Sequence, residues 1–156
     1  MRYSEFLRTK TREQDWSGFE VELSHLNTNL FDWQKYNVRW AARKGRAAMF
    51  LDTGLGKTIQ QLEWSRLVHQ HTGQPVLILA PLAVAEQTKR EAEKFDIDAP
   101  VTICETQDGV QSGLNITNYE KLHHFDPEVF AGVVLDESSI LKSFSGKVRS
   151  QLINSF

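Results

Sequence analysis

The 156-residue sequence lacks the features that mark several large classes of protein. Its single cysteine, Cys104, cannot form a disulfide within the chain, so we expect a small core residue in a reducing compartment. No apolar run approaches the length of a membrane-spanning helix, and residues 1–5 contain no signal-peptide core. With 18 basic and 20 acidic side chains the net charge is −2, so any contact with DNA must be local. These features predict a cytoplasmic domain with no membrane segment.

The first glycine of the full phosphate-loop pattern is also missing, because Leu51 stands in its place. The rest of the pattern is present over residues 52–58, Asp-Thr-Gly-Leu-Gly-Lys-Thr. Glycines let backbone N–H groups point at phosphate oxygens, Lys57 supplies a charge for the β and γ phosphates, and the Thr58 hydroxyl can hold Mg²⁺. Alone, the segment could be a glycine-rich turn, but a predicted strand (47–51) precedes it and a predicted helix (59–71) follows it. The predicted nucleotide-binding residues of this loop are Thr53, Gly54, Leu55, Gly56, Lys57 and Thr58.

A pair of carboxylates follows an apolar run later in the chain. Residues 133–135 are typical of a central parallel strand, and Asp136 and Glu137 come directly after them. Parallel sheets bind ligands at the C-terminal ends of their strands, so Asp136 can hold the Mg²⁺ that Thr58 also contacts. Glu137 can polarise a water for attack on the γ-phosphate. The two segments together predict hydrolysis of a nucleoside triphosphate, with Lys57, Asp136 and Glu137 as the catalytic residues.

Strand and helix patterns alternate along the rest of the chain. Apolar runs predict strands at 76–80, 101–104, 114–117 and 133–135. Helices are predicted from an Asp32 N-cap to Gly45, at 59–71, at 83–95 and, as a short helix, at 119–123. This alternation predicts an α/β fold with a mostly parallel, doubly wound sheet. Residues 1–28 are expected to form an irregular lead-in and residues 29–156 the folded domain.

The end of the first predicted helix carries the densest group of basic residues. This basic cluster consists of Arg39, Arg43, Lys44 and Arg46. A solvated helix C-terminus that complements the macrodipole accounts for it, and contact with nucleic acid is the alternative. The four tryptophans have no regular spacing and are expected to be core or half-buried side chains.

Several segments resemble, in the right order, the motifs of superfamily-two helicases, in particular the remodeller-like Snf-type branch and its phage-encoded relatives. The matching segments are 52–60 for motif I, 80–82 with Gln87 for motif Ia, 116–120 for motif Ib, 136–142 for motif II and Gln34 for the adenine-recognising glutamine. The likeness extends from about Leu30 over nearly the whole of the remaining chain.

This resemblance implies a RecA-like lobe that binds ATP and Mg²⁺ as the first motor lobe of an ATP-dependent DNA helicase or translocase. The Gln34 amide carries a donor and an acceptor that complement the N6 and N7 edge of adenine. An aromatic residue of the lead-in, such as Phe19, is expected either to stack on the base or to pack ordinarily. The resemblance also implies duplex DNA as a partner, bound weakly by this lobe alone, and, if the protein is phage-encoded, a bacterial host cell.

The family pattern also contains a second RecA-like lobe with an arginine finger, and this sequence does not include it. We therefore expect the chain alone to be inactive as an ATPase, and to be either a fragment of a longer protein or a natural single-lobe derivative. Two other functions remain open. One is another phosphate-loop NTPase, such as a small kinase or GTPase, although no guanine-recognition motif is present. The other is a non-catalytic ATP- or DNA-binding module that regulates a partner.

Overall fold

Four parallel strands form the sheet at the centre of the molecule. The computed structural model of the protein describes residues 16–49, 51 and 55–136. The strands are β1 (Val76–Leu79), β2 (Val101–Ile103), β3 (Leu114–Thr117) and β4 (Gly132–Leu135). Their order across the sheet is β2–β3–β1–β4, and every pairing is parallel. The predicted α/β class with a parallel sheet is confirmed, and each of these strands lies within one residue of its predicted bounds.

Within the described residues, three α-helices accompany the sheet: α1 (Asp32–Lys44), α2 (Lys57–Thr72) and α3 (Leu82–Lys94). Short 3₁₀ helices cover Leu23–His25, Gln107–Gly109, Tyr119–His124 and Pro127–Val129. Within the described part of the chain, no helix has the length and apolar character needed to span a lipid bilayer.

Alternation along β1 gives the sheet its two apolar faces. Ile78 packs in a cluster with Leu62 of α2 and Ala85 of α3, so these helices cover one face. Leu77 and Leu79 point to the other face, where the 3₁₀ segment containing Tyr119 covers them. Successive side chains of a strand point to opposite faces, so a strand buried on both sides reads as one continuous apolar run. Both faces of the sheet are therefore covered, as the doubly wound prediction requires.

The start of α1 differs from the sequence prediction. Phe31, and not Asp32, occupies the N-cap position, and its own side chain makes no capping hydrogen bond. The Gln34 side chain instead accepts a hydrogen bond from the Phe31 N–H at 2.9 Å. The prediction of Asp32 as N-cap is wrong because a side chain one turn into the helix satisfies the exposed backbone donor.

The described part of the lead-in, residues 16–28, packs against α1 and α2. Val21 and Leu26 join an apolar cluster with residues of both helices. Glu63 of α2 accepts a hydrogen bond from the Asn27 N–H at 2.8 Å and forms a buried ion pair with Arg66. Since Arg66 also donates to the carbonyl of His25 at 3.0 Å, this ion pair fixes the lead-in to α2.

The strand predicted over residues 47–51 is not observed in its described residues, 47–49 and 51. A strand forms only where a neighbour accepts and donates its backbone hydrogen bonds, and no described strand pairs with this segment. Residues 47–49 and β4 line the same open groove of about 1020 Å³. β4 is consequently an edge strand of the described sheet, and the prediction of a central position for it is wrong here.

Candidate nucleotide site

The candidate site begins where the phosphate-loop segment enters α2. Gly56 is the N-cap residue, in the left-handed conformation with φ 71° and ψ 42°, and as a glycine it has no side chain with which to cap the helix. The first backbone N–H groups of any α-helix have no partner within the helix, and the helix dipole favours an anion beside them. Lys57 and Thr58 are the first two residues of α2 and both are partly buried. Asp52, Thr53 and Gly54 lie outside the described residues.

Asp136 follows β4 directly and is held by three hydrogen bonds. Its N–H donates to the carbonyl of Leu79 at 2.8 Å, and its own carbonyl accepts from the Tyr119 hydroxyl at 2.6 Å. Its carboxylate Oδ1 accepts from Gln61 Nε2 at 3.2 Å. Because Gln61 is three residues after Thr58, the two side chains are neighbours on one face of α2. The structure thus brings the Asp136 carboxylate to Gln61, which lies one turn after Thr58 on α2. Glu137 lies outside the described residues.

The residues at this junction fit a magnesium-bound nucleotide. A hydroxyl and a carboxylate are hard oxygen ligands of the kind that Mg²⁺ prefers, and this metal commonly keeps several waters between itself and the protein. A helix N-terminus with a neighbouring lysine suits phosphate oxygens. Lys57, Thr58 and Asp136 therefore offer groups of the kind that would fit such a nucleotide.

Gln34 lies beside the loop and is only 4% exposed. Its Nε2 donates to the carbonyl of Leu55 at 3.1 Å, while its Oε1 accepts from the Phe31 N–H. One N–H and one lone pair of the amide remain beyond these two bonds. The glutamine predicted to recognise adenine is thus adjacent to the phosphate loop, and its role in base recognition stays a prediction.

The segments matched to motifs Ia and Ib both begin at the carboxyl ends of strands. Ala80 and Pro81 follow β1, and Leu82 opens α3 with an exposed side chain. Gln87 donates to Glu91 at 3.3 Å, one turn later on the same exposed helix face. Residues 116–120 span the end of β3 and the start of the next 3₁₀ helix. Through the Tyr119 hydroxyl, this second segment contacts the backbone of Asp136.

Phe19 packs far from the loop. Its ring stacks on His71 with centroids 4.1 Å apart and planes 4° apart. His71 is fourteen residues after Lys57 on α2, which corresponds to about 21 Å along the helix axis. Of the two alternatives for Phe19, ordinary packing is observed, and stacking on a base held at the loop is wrong for this residue.

The sequence analysis missed an exposed aromatic face on α1. Trp33, Tyr36 and Trp40 are all exposed, and their spacing of three and then four residues puts them on one side of the helix. The statement that the tryptophans have no regular spacing is therefore wrong for Trp33 and Trp40. Counting Tyr36 with the tryptophans would have disclosed the pattern.

The prediction that Cys104 is a core residue is confirmed. The side chain is buried, and it packs in the same cluster as Leu77 and Tyr119. Burial raises the pKa of the Cys104 thiol to about 11, because desolvation disfavours the thiolate. An inert, protonated thiol is the result.

Comparison with solved structures identifies the class of fold. The chain resembles the crystal structure of the UvsW helicase from Bacteriophage T4 with a TM-score of 0.67 and 15% sequence identity. The match covers 99% of this chain and 56% of that chain. The fold is that of a helicase RecA-like domain.

Sequence comparison identifies the branch. The chain is 30% identical over 137 residues to SWI/SNF-related matrix-associated actin-dependent regulator of chromatin subfamily A-like protein 1 of Xenopus laevis, and 31% identical to its Xenopus tropicalis counterpart. It is also 32% identical over 76 residues to DNA excision repair protein CSB of Oryza sativa subsp. japonica. No protein-family model matches the chain. The Xenopus laevis match covers 80% of this chain, although the chain spans only 14% of that relative.

The relatives and the structural neighbour together support a RecA-like lobe of the superfamily-two helicase, SNF-related remodeller type.

Proposed function

We propose that this chain is the ATP-binding half of a DNA-dependent motor, which binds Mg-ATP at the start of α2. The observation that carries the proposal is the hydrogen bond between Gln61 and the Asp136 carboxylate, one helical turn from Thr58. A phosphate loop and an acidic strand end can bind the same nucleotide and its metal ion only when they lie next to each other.

Each residue of the proposed site has a distinct task. The backbone N–H groups at the start of α2, together with residues 53–56 of the loop, bind phosphate oxygens, and Lys57 neutralises their charge. The Thr58 hydroxyl and the Asp136 carboxylate would hold Mg²⁺, which would supply neutralisation of phosphate charge. Glu137 orients the attacking water. Gln34 selects adenine through the donor and the acceptor that its amide still offers.

Hydrolysis in this proposal requires a second lobe. Residues 29–156 form the first RecA-like lobe, residues 1–28 lead into it, and a second RecA-like lobe supplies the cation that neutralises charge on the γ-phosphate. An arginine in that role is worth about 10³–10⁵ in rate in related NTPases. The chain alone should therefore bind Mg-ATP weakly and turn it over barely at all.

Binding is tested by calorimetric titration of the 156-residue chain with Mg-ADP and Mg-ATP. Lys57→Ala and Asp136→Asn should each weaken binding about tenfold or more, because each removes one charge from the site. Lys89→Ala, which removes a lysine from the middle of α3, is the control and should leave affinity unchanged. Equal affinity in all four proteins would refute the proposed site.

Turnover is tested by joining residues 1–156 to a second RecA-like lobe. That longer protein should hydrolyse ATP in a DNA-stimulated manner, and Glu137→Gln should abolish the activity. Rapid hydrolysis by residues 1–156 alone, abolished by the same substitution, would contradict the two-lobe proposal. Nucleotide binding without hydrolysis in the longer protein would favour the regulatory alternative.

Duplex DNA is the proposed partner, and the lobe alone should bind it weakly. The chain carries a net charge of −2, and part of the basic cluster is already engaged within the protein. Arg43 pairs with Glu20 at 2.8 Å, and both Arg43 and Lys44 lie over the ring of Trp16. Few counterions are then released on binding, so affinity and its dependence on salt should both be small. Tight, strongly salt-dependent binding in a fluorescence-anisotropy titration would contradict this expectation.

A further inference from the structure

One carbonyl of the phosphate-loop segment is held by two buried side-chain amides. The carbonyl of Leu55 accepts from Gln34 Nε2 of α1 at 3.1 Å and from Gln60 Nε2 of α2 at 3.0 Å. Gln60 Nε2 also lies 3.2 Å from the carbonyl of Gly56. Gln60 is completely buried, so its amide is available only to protein groups. The entrance to α2 is thus fixed from two different helices.

The orientation of both amides follows from their partners. The Phe31 N–H can only donate and the Leu55 carbonyl can only accept, so Gln34 must direct Oε1 to the first and Nε2 to the second. In the same way, the loop carbonyls require Nε2 of Gln60, and its Oε1 then accepts from Asn37 Nδ2 at 3.3 Å. The partners therefore permit only one orientation of each of the two glutamine amides.

Holding the Leu55 carbonyl also fixes the next N–H group. In a trans peptide the C=O of one residue and the N–H of the next point in opposite directions. Since the Leu55 carbonyl points at Gln34 and Gln60, the Gly56 N–H points away from them. Gly56 belongs to the loop whose backbone N–H groups would bind phosphate in the proposed site.

We propose that Gln60, together with Gln34 and Asn37, is a positioning network that orients the Leu55–Gly56 peptide for phosphate binding. This inference rests on the proposed function, since it concerns the same nucleotide site. Gln60 does not contact the nucleotide and acts only through the peptide that it holds.

The variant that isolates this role is Gln60→Met, which keeps nearly the same volume but removes the amide donors. The control is Gln74→Met, which makes the same change at an exposed position beyond the far end of α2. Affinities for Mg-ADP and for inorganic pyrophosphate are measured by calorimetry. Gln60→Met should weaken both ligands by a similar factor, about tenfold, because the network acts on the phosphate-binding peptide and not on the base. Gln74→Met should change neither.

A spectroscopic measurement separates positioning from simple packing. In ¹⁵N-labelled chain, the Gly56 amide resonance should shift on addition of pyrophosphate, and in Gln60→Met that shift should be much reduced. Asn37→Ala keeps the Gln60 side chain and removes only its orienting donor, so it should weaken pyrophosphate binding by about threefold. This second variant decides the matter if Gln60→Met does not fold.

The outcomes distinguish the two proposals. If the wild-type chain binds Mg-ADP and pyrophosphate but Gln60→Met and Asn37→Ala bind them equally well, the positioning network is refuted and the nucleotide site stands. If the wild-type chain binds neither ligand, the proposed nucleotide site itself is refuted.

Discussion

Replacing Gly56 by alanine should destabilise the protein for two separable reasons. Gly56 has a φ of 71°, and an alanine held in the left-handed region costs about 1–2 kcal/mol. A Cβ built on Gly56 would also overlap Gln34 Nε2, and it would lie 3.3 Å from Ile59 Cγ2. Gln34 must then move and lose its bond to the Leu55 carbonyl, which leaves a buried amide unsatisfied at a cost of about 1–3 kcal/mol. The total expected loss is about 2–5 kcal/mol.

Gly73 provides a matched control at the other end of the same helix. Its φ is also 71°, and a Cβ built on it would meet nothing within 4 Å. Gly73→Ala therefore carries the backbone cost alone, about 1–2 kcal/mol. Both substitutions stiffen the unfolded chain to the same extent, so that contribution cancels in the comparison.

The two variants are compared by urea unfolding followed by far-ultraviolet circular dichroism, with equal m-values as the condition for comparing free energies. Gly56→Ala should be less stable than Gly73→Ala by about 1–3 kcal/mol. A difference below about 0.5 kcal/mol would refute the argument, because the Gln34–Leu55 hydrogen bond would then contribute nothing measurable.

Three further expectations follow from buried polar groups. Arg66→Met leaves the fully buried Glu63 carboxylate without its countercharge and should lower the free energy of unfolding in urea by about 3–5 kcal/mol. Arg43→Met, which breaks the exposed pair with Glu20, should lower it by less than about 1 kcal/mol, and similar losses in both variants would contradict this. Gln34→Ala should reduce the preference for ATP over GTP by about 1–3 kcal/mol in competition titrations, and an unchanged preference would remove Gln34 from base recognition. Burial raises the pKa of the Cys104 thiol to about 11 from 9.0, so Cys104 should react slowly with a thiol reagent at pH 8, and rapid labelling of the folded chain would contradict this. The stability that the protonated thiol contributes is complete below pH 9, and the free energy of unfolding should decline as the pH rises from 9 to 11.

Much of the fold could be predicted because the strand and helix patterns in this chain are clear. The apolar run at 76–79 is buried on both faces of the sheet, and such a strand is recognisable without knowledge of its neighbours. The strand at 114–117, Leu-Asn-Ile-Thr, is also fully buried, although its apolar and polar residues alternate. Helices α1 and α3 have a clear apolar stripe and were located to within one residue at most ends. The local sequence pattern suffices to predict a helix or strand when the residues of that element alone distinguish it.

The errors arose where a feature depends on a distant partner. The segment 47–51 has the composition of a strand, but pairing depends on what lies beside it, which composition does not record. The ion pair of Glu63 with Arg66 was not anticipated, because two charged residues on a helix ordinarily indicate a solvated face. Its burial results from the lead-in folding over α2, which is a contact between residues about 40 positions apart.

In the candidate site, too, some features could be predicted from local sequence and others depend on contacts between distant residues. Glycine, lysine and threonine at fixed spacing predict a phosphate loop, since the chemistry of the ligand dictates those residue types. The nearness of Asp136 to α2 depends on the order of the strands, and it is visible only through the Gln61 hydrogen bond. Gln60 lies two residues after Thr58, and nothing in its sequence position distinguishes a positioning amide from an exposed one.

In the proposed function, the Gln34 side chain serves both local structure and base recognition. Its Oε1 satisfies the first backbone donor of α1, and its Nε2 satisfies the Leu55 carbonyl, so the amide is oriented before any ligand arrives. The remaining lone pair and N–H of that amide are therefore fixed in direction as well. A base that requires one acceptor and one donor would meet them without further loss of side-chain entropy, which is the usual source of affinity in a preorganised site. Loss of the Leu55 bond should accordingly weaken base discrimination along with phosphate binding, so in Gly56→Ala the two should decline together.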